Sequence, residues 1–253
     1  MELILPQWGQ SLPKVGTLAS TRACGNSVAP YGDGAGALGL NLGLHVGDDA
    51  DHVRANRAQI ARHLPAQPVW LNQVHGCDVI DAGAWTAADA LPQADASFTT
   101  QAGVVCAILT ADCLPVLLTD TAGRVVAAAH AGWRGLAAGV LENTAMQMRN
   151  AGGQELLAWL GPAIGPQQFE VGADVLEAFV TRFPTASHAF KKIEARPGKY
   201  QADIYSLARD ILLRAGIVRV TGGNDCTVSS PQRFYSFRRD GVTGRMASFI
   251  WLR

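Results

Sequence analysis

Residues 103–119, GVVCAILTADCLPVLLT, are almost continuously apolar, and only the break TADC (110–113) interrupts them. Apolar runs without regular polar alternation are typical of strands that are buried on both faces. The stretch therefore predicts two buried strands that flank a polar break. A further apolar run, RVVAAAH (124–130), predicts a third strand that ends at His130.

Further strands and helices are predicted on both sides of this stretch. Asp48 or Asp49 can cap a helix that runs to about Leu64. Strands and helices do not alternate regularly, as they would in a doubly wound sheet, so we predict one α+β domain over residues 1–253. The other predicted strands are KVGTLASTR (14–22), PVWLNQVHGCDVI (68–80), LLAWLGPAIG (156–165) and the C-terminal segment, and the other predicted helices are GLAAGVLENTAMQMRNAG (135–152), GADVLEAFVTRF (172–183) and DIYSLARDILLRAG (203–216).

The composition is that of an ordinary globular protein. Of the 253 residues, 48% are apolar and 17% are charged, and 21 basic residues balance 21 acidic ones. This balance gives no indication of a nucleic-acid partner or of an acidic membrane surface. Nothing in the sequence indicates a required protein partner. We expect no membrane span and no signal peptide, because apolar runs are short and MELILPQWGQ (1–10) has no basic region. Five scattered cysteines do not form a disulfide framework, which favours a reducing cytoplasm.

Three residues with soft-metal ligand atoms occupy similar places in this pattern. His75 follows VWLNQV, Cys113 lies in the break after VVCAIL, and His130 ends RVVAAAH. The end of a strand, where rigid sheet meets a loop, is a common position for functional residues. Thiolate and imidazole are good zinc ligands, and three protein ligands leave a fourth position for water. These residues therefore suggest a zinc site.

The spacing of the three residues leaves two other interpretations open. They are 38 residues apart (75 to 113) and 17 residues apart (113 to 130), which is not a local metal-binding pattern. In one alternative, the histidines are hydrogen-bonded core residues and Cys113 is a small buried apolar residue. In the other, Cys113 is a nucleophile with a histidine base, and Asp112 orients the reacting groups or donates a proton to them.

Several longer motifs resemble one known family. The chain is similar, from about Ser20 to its C-terminus, to the YfiH family of laccase-domain proteins. The motif NLGLHVGDD is followed by Asn56 and Arg57, as in that family. The other motifs that carry the resemblance are LNQVHG (71–76), LTADCLPVLL (109–118), HAGWRGL (130–136), GPAIGP (161–166) with FEVG (169–172), and FRRDGVTGRMASFIWL (237–252).

The resemblance implies a layered, mixed β-sandwich flanked by helices, with a metal held by His75, Cys113 and His130. It implies a zinc-dependent purine nucleoside enzyme that phosphorolyses adenosine, inosine and methylthioadenosine and deaminates adenosine. Older descriptions of the family imply a copper-dependent polyphenol oxidase, and a third implies an editing hydrolase of cytoplasmic peptidoglycan precursors. A fourth possibility is a non-enzymatic protein with structural zinc.

Ligand counting favours a single metal over a copper cluster. A multicopper centre needs many histidines, and the chain has six. Three of these, His52, His63 and His188, lie in polar or helical stretches that are predicted to face solvent. Copper remains possible as an alternative metal at the zinc site, because it outcompetes zinc for most ligand sets.

A purine nucleoside reaction needs groups that bind phosphate, read the substrate and transfer protons. Guanidinium groups match phosphate oxygens bidentately, and Arg134 is the candidate nearest to His130, at a predicted helix start. Asp112 and Glu170 are the candidates for proton transfer. The residues that we expect to contact substrate or phosphate are Arg22, Asn41, His45, Arg57, Gln73, Arg238 and Arg239.

Overall fold

The computed structural model describes residues 1–85 and 90–253, which form fourteen strands and six α-helices within these ranges. The strands are β1 (Leu3–Ile4), β2 (Val15–Ser20), β3 (Ala23–Ser27), β4 (Val79–Asp81), β5 (Ala96–Thr99), β6 (Val105–Thr110), β7 (Leu114–Asp120), β8 (Val126–Ala131), β9 (Leu156–Leu160), β10 (Glu170–Gly172), β11 (Phe190–Lys192), β12 (Lys199–Ala202), β13 (Arg219–Gly222) and β14 (Met246–Leu252). The helices are α1 (Ala50–Ala61), α2 (Trp133–Ala138), α3 (Val140–Asn150), α4 (Ala173–Val180), α5 (Ile204–Arg214) and α6 (Phe237–Asp240), with 3₁₀ turns at Ala82–Ala84 and Pro184–Ala189.

Two large sheets form the body of the protein. One has six strands in the order β13-β9-β7-β8-β5-β4, and the other has four in the order β1-β2-β14-β6. The four-stranded sheet is antiparallel, whereas the six-stranded sheet also contains the parallel pairs β13–β9 and β4–β5. A small three-stranded sheet has the order β10-β12-β11. The two strands predicted from residues 103–119 thus belong to different sheets, and the break at residues 111–113 is the crossing between them.

Buried apolar side chains define four layers. One cluster fills the space between the two sheets, with Ile108 and Ile250 on one side and Leu117 and Ala128 on the other. The outer face of the six-stranded sheet packs on residues of α3 and α5, and the outer face of the four-stranded sheet packs on Ile60 of α1 and on the preceding loop. The layered mixed sandwich flanked by helices is confirmed.

Strand β8 sits in the middle of this arrangement and ends at the candidate site. Ala127 and Ala129 face the helices, whereas Val126 and Ala128 face the four-stranded sheet. Side chains alternate along a strand, so His130 points to the same side as Val126 and Ala128. The strand therefore delivers His130 to the end of the gap between the sheets.

Two predicted elements differ from the structure. PVWLNQVHGCDVI is not one continuous strand: Val69 and Asn72 form only isolated bridges, the backbone turns away at His75, and of this segment only Val79 and Ile80 belong to a strand, β4. The predicted helix over 135–152 is two helices, because Gly139 has a φ of 103° and ends the first of them. The helix at 50–61 is confirmed, and the Asp49 side chain caps it by accepting from the Asp51 N–H. Within the described ranges, no helix combines the length and apolar character that a bilayer crossing needs.

Candidate functional site

His75, Cys113 and His130 come together at the end of the sandwich. Their ligand atoms all lie within 4.8 Å of one another, and Cys113 Sγ is 3.8 Å from His75 Nε2. Two ligands of a tetrahedral zinc, bound at about 2.0 and 2.3 Å, are about 3.5 Å apart. The group therefore fits one zinc ion with little adjustment. Over residues 1–85 and 90–253, no other set of three or more His, Cys, Asp or Glu side chains is close enough to hold an ion.

His130 is the rigid member of this group. It ends a central strand, is only 3% exposed, and donates its backbone N–H to Asp95 O at 2.7 Å. Its ring Nδ1 is 2.8 Å from Asp95 Oδ1, in a buried contact. A metal-binding histidine commonly donates its second ring N–H to a carboxylate, which fixes the tautomer. This contact directs Nε2 of His130 toward the other two ligands.

His75 is exposed and lies in a loop, yet the same carboxylate holds it. The Asp95 side chain accepts hydrogen bonds from the backbone N–H groups of Val74, His75 and Gly76, at 3.2, 2.9 and 2.6 Å. These bonds fix the left-handed backbone of His75, whose φ is 63°. Asp95 is not among the residues predicted from the sequence. The signal available there was a single acidic residue between Ala94 and Ala96, at the start of an apolar stretch.

Two glycines of the HAGWRG motif leave room for this arrangement. A Cβ on Gly132 would lie 3.0 Å from Cys113 Sγ and 3.1 Å from His75 Cδ2. A Cβ on Gly135 would lie 2.6 Å from the carbonyl oxygen of Gly76. The contact at Gly135 is too short for any side chain, and those at Gly132 would be tight, so the two glycines allow α2 to pack against the His75 loop.

Cys113 and His130 shift each other's protonation. Burial by itself raises the pKa of the Cys113 thiol, but His130 and His75 beside it lower that pKa to about 6. Burial lowers the pKa of His130, but Cys113 and Asp95 together raise it to about 9. Burial also raises the pKa of Asp95, which His130 and the backbone N–H groups of Gly76 and Val74 hold below its usual range. Without a metal, Cys113 is therefore a thiolate at pH 7, the form that binds metal.

Asp112 precedes Cys113 and ties it to the C-terminal part of the chain. Its φ is 89°, and its carboxylate accepts from Thr227 Oγ1 at 2.5 Å, Ser236 Oγ at 3.0 Å and the Arg238 N–H at 2.6 Å. These three bonds engage both oxygens of the carboxylate and hold the start of α6 next to Cys113.

The side chains of His75 and Cys113 lie at a wall shared by two lobes of one cleft. The larger lobe has a volume of about 510 Å³ and is lined by all three ligands and by the predicted substrate residues His45, Arg57 and Gln73. The smaller lobe, of about 250 Å³, is lined by His75, Cys113 and three more of the predicted residues. Those three are Asp112, Arg134 and Arg238, and the apolar walls of this lobe are Trp133, Ile164, Phe169, Ile204 and Phe237.

The structure places the other predicted residues outside the lining of both lobes. Asn41 is buried, where it bonds Gly43 and Asp48, and the Glu170 side chain accepts from Arg196 at 2.5 Å. Arg22 and Arg239 line a separate cavity of about 540 Å³ that contains none of the metal ligands.

Arg245 is a charged cleft residue that was not predicted from the sequence. Arg245 lines the larger lobe and lies in the motif FRRDGVTGRMASFIWL, directly before the last strand. Its backbone N–H donates to Asn41 Oδ1 at 2.8 Å, so buried Asn41 helps to hold it. A single arginine between a glycine and a buried strand was the available signal.

Comparison with known proteins gives a consistent result. Residues 16–253 match the family model described as multi-copper polyphenol oxidoreductase laccase. The chain is 51% identical over 254 residues to the purine nucleoside phosphorylase YfiH of Escherichia coli, which covers 99% of both chains. It is 48% identical over 250 residues to a purine nucleoside phosphorylase of Pseudomonas aeruginosa, covering 99% of this chain and 98% of the other.

A solved structure agrees with these sequence relatives. A crystal structure from Neisseria meningitidis, of the domain family DUF152, has a TM-score of 0.90 and 47% identity, over 99% of this chain and 98% of the other. The match is nearly complete in both directions, in sequence and in structure. The chain therefore belongs to the family described as multi-copper polyphenol oxidoreductase laccase, which includes the YfiH proteins.

Proposed function

We propose that this chain is a zinc-dependent purine nucleoside enzyme that phosphorolyses adenosine, inosine and methylthioadenosine and also deaminates adenosine. One observation carries the proposal: the ligand atoms of His75, Cys113 and His130 converge within 4.8 Å at the wall between two lobes of a cleft. The relative that is 51% identical, and is named a purine nucleoside phosphorylase, supports the substrate class.

The three side chains are the residues that would hold zinc. When bound there, zinc would supply Lewis acidity at the open face of the group. Asp95 keeps a proton on Nδ1 of His130 and leaves Nε2 for the ion, while its bonds to the 74–76 backbone hold His75 in place. The open side of the group faces the cleft, so substrate has access to it.

The two lobes suit a reaction with two substrates. Phosphorolysis brings phosphate to the sugar carbon of a nucleoside, so both substrates must lie side by side. The smaller lobe has flat, apolar walls from Trp133, Phe169 and Phe237, which suit a purine ring. Phe237 lines both lobes, at the junction where the nucleoside would extend toward phosphate.

The two candidates for proton transfer, Asp112 and Glu170, differ in their surroundings. The three hydrogen bonds that the Asp112 carboxylate accepts make it a positioning residue for Cys113 and Arg238. Glu170 is paired with Arg196 outside the cleft lining, so a proton-transfer role for it would require that pair to open. We therefore do not assign protonation of the reacting nitrogen to Asp112 or to Glu170.

A copper oxidase is the second candidate, because the matched family is described as multi-copper. Three ligand side chains hold one ion, and the described residues contain one such group. This count supports a mononuclear site, where copper would act only as a replacement for zinc. The five cysteines are free thiols, which fits the proposed reducing cytoplasm.

The test combines metal analysis with product analysis. Purified protein should contain about one zinc per chain, and it should convert inosine to hypoxanthine only when phosphate is present. Adenosine should yield adenine with phosphate and ammonia without it. His188→Ala, which removes an exposed histidine far from the group, serves as the control variant. Protein with a full complement of zinc that leaves both nucleosides unchanged would contradict the proposal, and a gain of activity on phenols with copper would favour the oxidase.

A further inference from the structure

Two arginines in the larger lobe, Arg57 and Arg245, differ from the other arginines predicted from the sequence in how their charge is satisfied. Arg57 donates its Nε–H to Leu42 O at 2.9 Å, and its Cζ lies over the Trp70 ring, 3.9 Å from the ring centroid. Trp70 is itself packed edge-on against core Phe249, so both contacts of Arg57 are made to well-held groups. The outer edge of Arg57, with its two terminal nitrogens, is left for the cleft that it lines.

Arg245 lies on the same lobe wall. Its Nη1 donates to the carbonyl oxygens of Thr243 and Gly244, at 3.1 and 3.0 Å, and its backbone is held by Asn41. A Cβ on Gly43 would lie 2.8 Å from Arg245 Cγ, so the glycine in NLGLHVGDD makes room for this side chain. These contacts hold Arg245 in the lining of the larger lobe, which His75, Cys113 and His130 also line.

These two cations lack acidic partners in the part of the chain that the structure describes. No carboxylate oxygen of residues 1–85 or 90–253 lies within 4.0 Å of either guanidinium. Burial lowers the pKa of Arg57 to about 10, so it stays charged at pH 7, and burial also lowers the pKa of Arg245. His45 lines the same lobe, and burial together with the charges of Arg245 and Arg57 lowers its pKa, which favours the neutral imidazole. The negative charges of Cys113 and Asp112 offset part of the cost of burying Arg245, whereas nothing offsets the burial of Arg57, and a bound anion would reduce both costs.

The other arginines do not share this property. Arg22 donates three hydrogen bonds to Gly32 O and Pro231 O, and Arg239 is bonded to backbone carbonyls and to Asp240. Arg134 and Arg238 are exposed, so water solvates them. Among the arginines of residues 1–85 and 90–253, only Arg57 and Arg245 are both partly buried and part of the lobe lining that contains His75, Cys113 and His130.

We infer that Arg57, Arg245 and His45 form an oxyanion subsite for a phosphate group, in the larger lobe that His75, Cys113 and His130 also line. Two guanidinium edges would bind phosphate oxygens, and the imidazole would donate a further hydrogen bond. The same chemistry suits inorganic phosphate and the phosphate of a nucleotide. The role of the subsite in phosphorolysis rests on the proposed function, but the binding of an oxyanion does not.

The experiment measures binding without turnover. Inorganic phosphate, and in a second arm adenosine monophosphate, is titrated calorimetrically into the metal-loaded protein. Arg57→Gln and Arg245→Gln should each raise the Kd by about tenfold or more, and Arg57→Lys should recover part of the loss. Arg54→Gln is the matched control, since Arg54 is one turn earlier on α1, exposed and paired with Asp51. The thermal melting of each variant without ligand shows that it is folded.

The outcomes separate this inference from the proposed function. If the wild type binds phosphate and both glutamine variants change the Kd by less than twofold, the subsite is not there. If phosphate binding falls in the variants but nucleosides are never cleaved, the subsite stands and the proposed function fails. If nucleosides are cleaved with an unchanged KM for phosphate in both variants, the function stands and the subsite fails. Tighter binding of the monophosphate than of phosphate, lost in the same variants, assigns the subsite to a nucleotide.

Discussion

His130 and His75 each contribute an imidazole to the group with Cys113, but His130 lies on a strand and His75 lies in a loop. His130 ends a strand in the middle of a six-stranded sheet and is buried, whereas His75 lies in an exposed loop with a left-handed backbone. The sheet fixes the first histidine, and three hydrogen bonds to the Asp95 carboxylate fix the second. One buried carboxylate therefore gives a loop residue a position as defined as that of a strand residue.

Loss of metal is the largest effect expected on either side of this comparison. Cys113→Ala, His130→Ala and His75→Ala should each retain less than roughly one tenth of the wild-type zinc, because two remaining ligands bind weakly. Mass spectrometry of metal content after dialysis measures this. Retention of one zinc per chain in Cys113→Ala and His130→Ala would show that other residues hold the metal. If only His75→Ala kept its zinc, the exposed histidine would not be a ligand.

Thiol reactivity in the metal-free protein tests the electrostatics of the buried side. The pKa of Cys113 is lowered to about 6 and that of fully buried Cys106 is raised to about 12. Alkylation of Cys113 should therefore increase as the pH rises through about 6, where the thiolate forms. Cys106 should stay unmodified up to pH 9, and zinc should protect Cys113. Peptide mass spectrometry follows both sites, and a Cys113 midpoint near 9 would remove the role given to His130.

Removal of the shared carboxylate should affect both histidines at once. Asp95→Ala leaves the His130 ring and three backbone N–H groups without an acceptor, so the free energy of unfolding should fall by about 3–5 kcal/mol. Urea denaturation of the metal-free protein measures the change. Asp95→Asn keeps an acceptor oxygen of the same size and should lose less stability, yet it should still weaken zinc binding. Equal zinc affinity in Asp95→Asn and the wild type would mean that the carboxylate only supports the fold.

A smaller, steric effect is expected on the His75 side. The φ of Gly132 is −60°, which any residue adopts, so Gly132→Ala acts only through the contact of its Cβ with Cys113 and His75. Overpacking of this kind costs about 1–3 kcal/mol, here as weaker zinc binding in competition with a chelator. Ala138→Ser, on the exposed face of α2, should leave the affinity unchanged. An equal loss in both variants would point to α2 stability instead of ligand geometry.

The same comparison explains what the sequence could predict. Strands β6, β7 and β8 follow from local apolar runs, and each metal ligand lies next to a predicted strand end, so the ligand set was accessible. The fold of the His75 segment could not be predicted, because an acceptor twenty residues away determines its backbone. VWLNQV has the composition of a strand, but the N–H groups that follow it donate to the Asp95 carboxylate and not to a neighbouring strand.

The lining of the cleft was only partly predictable, because tertiary contacts decide which arginine edges stay available. Arg22 and Arg57 are equally good phosphate ligands in sequence. In the structure, loop carbonyls use the first, whereas the second keeps an edge for the cleft. Arg245 was missed for the same reason, since nothing local to GRMAS reveals the wall that it faces.

The crossing between the sheets has a consequence for how the protein is made. Strand β14 lies between β2 and β6, so the four-stranded sheet that carries one side of the crossing cannot close until residues 246–252 have been synthesised. A chain that stops before residue 246 contains His75, Cys113 and His130 but lacks the strand that joins β2 to β6. Such a chain would present the Cys113 thiol without the finished sheet beside it.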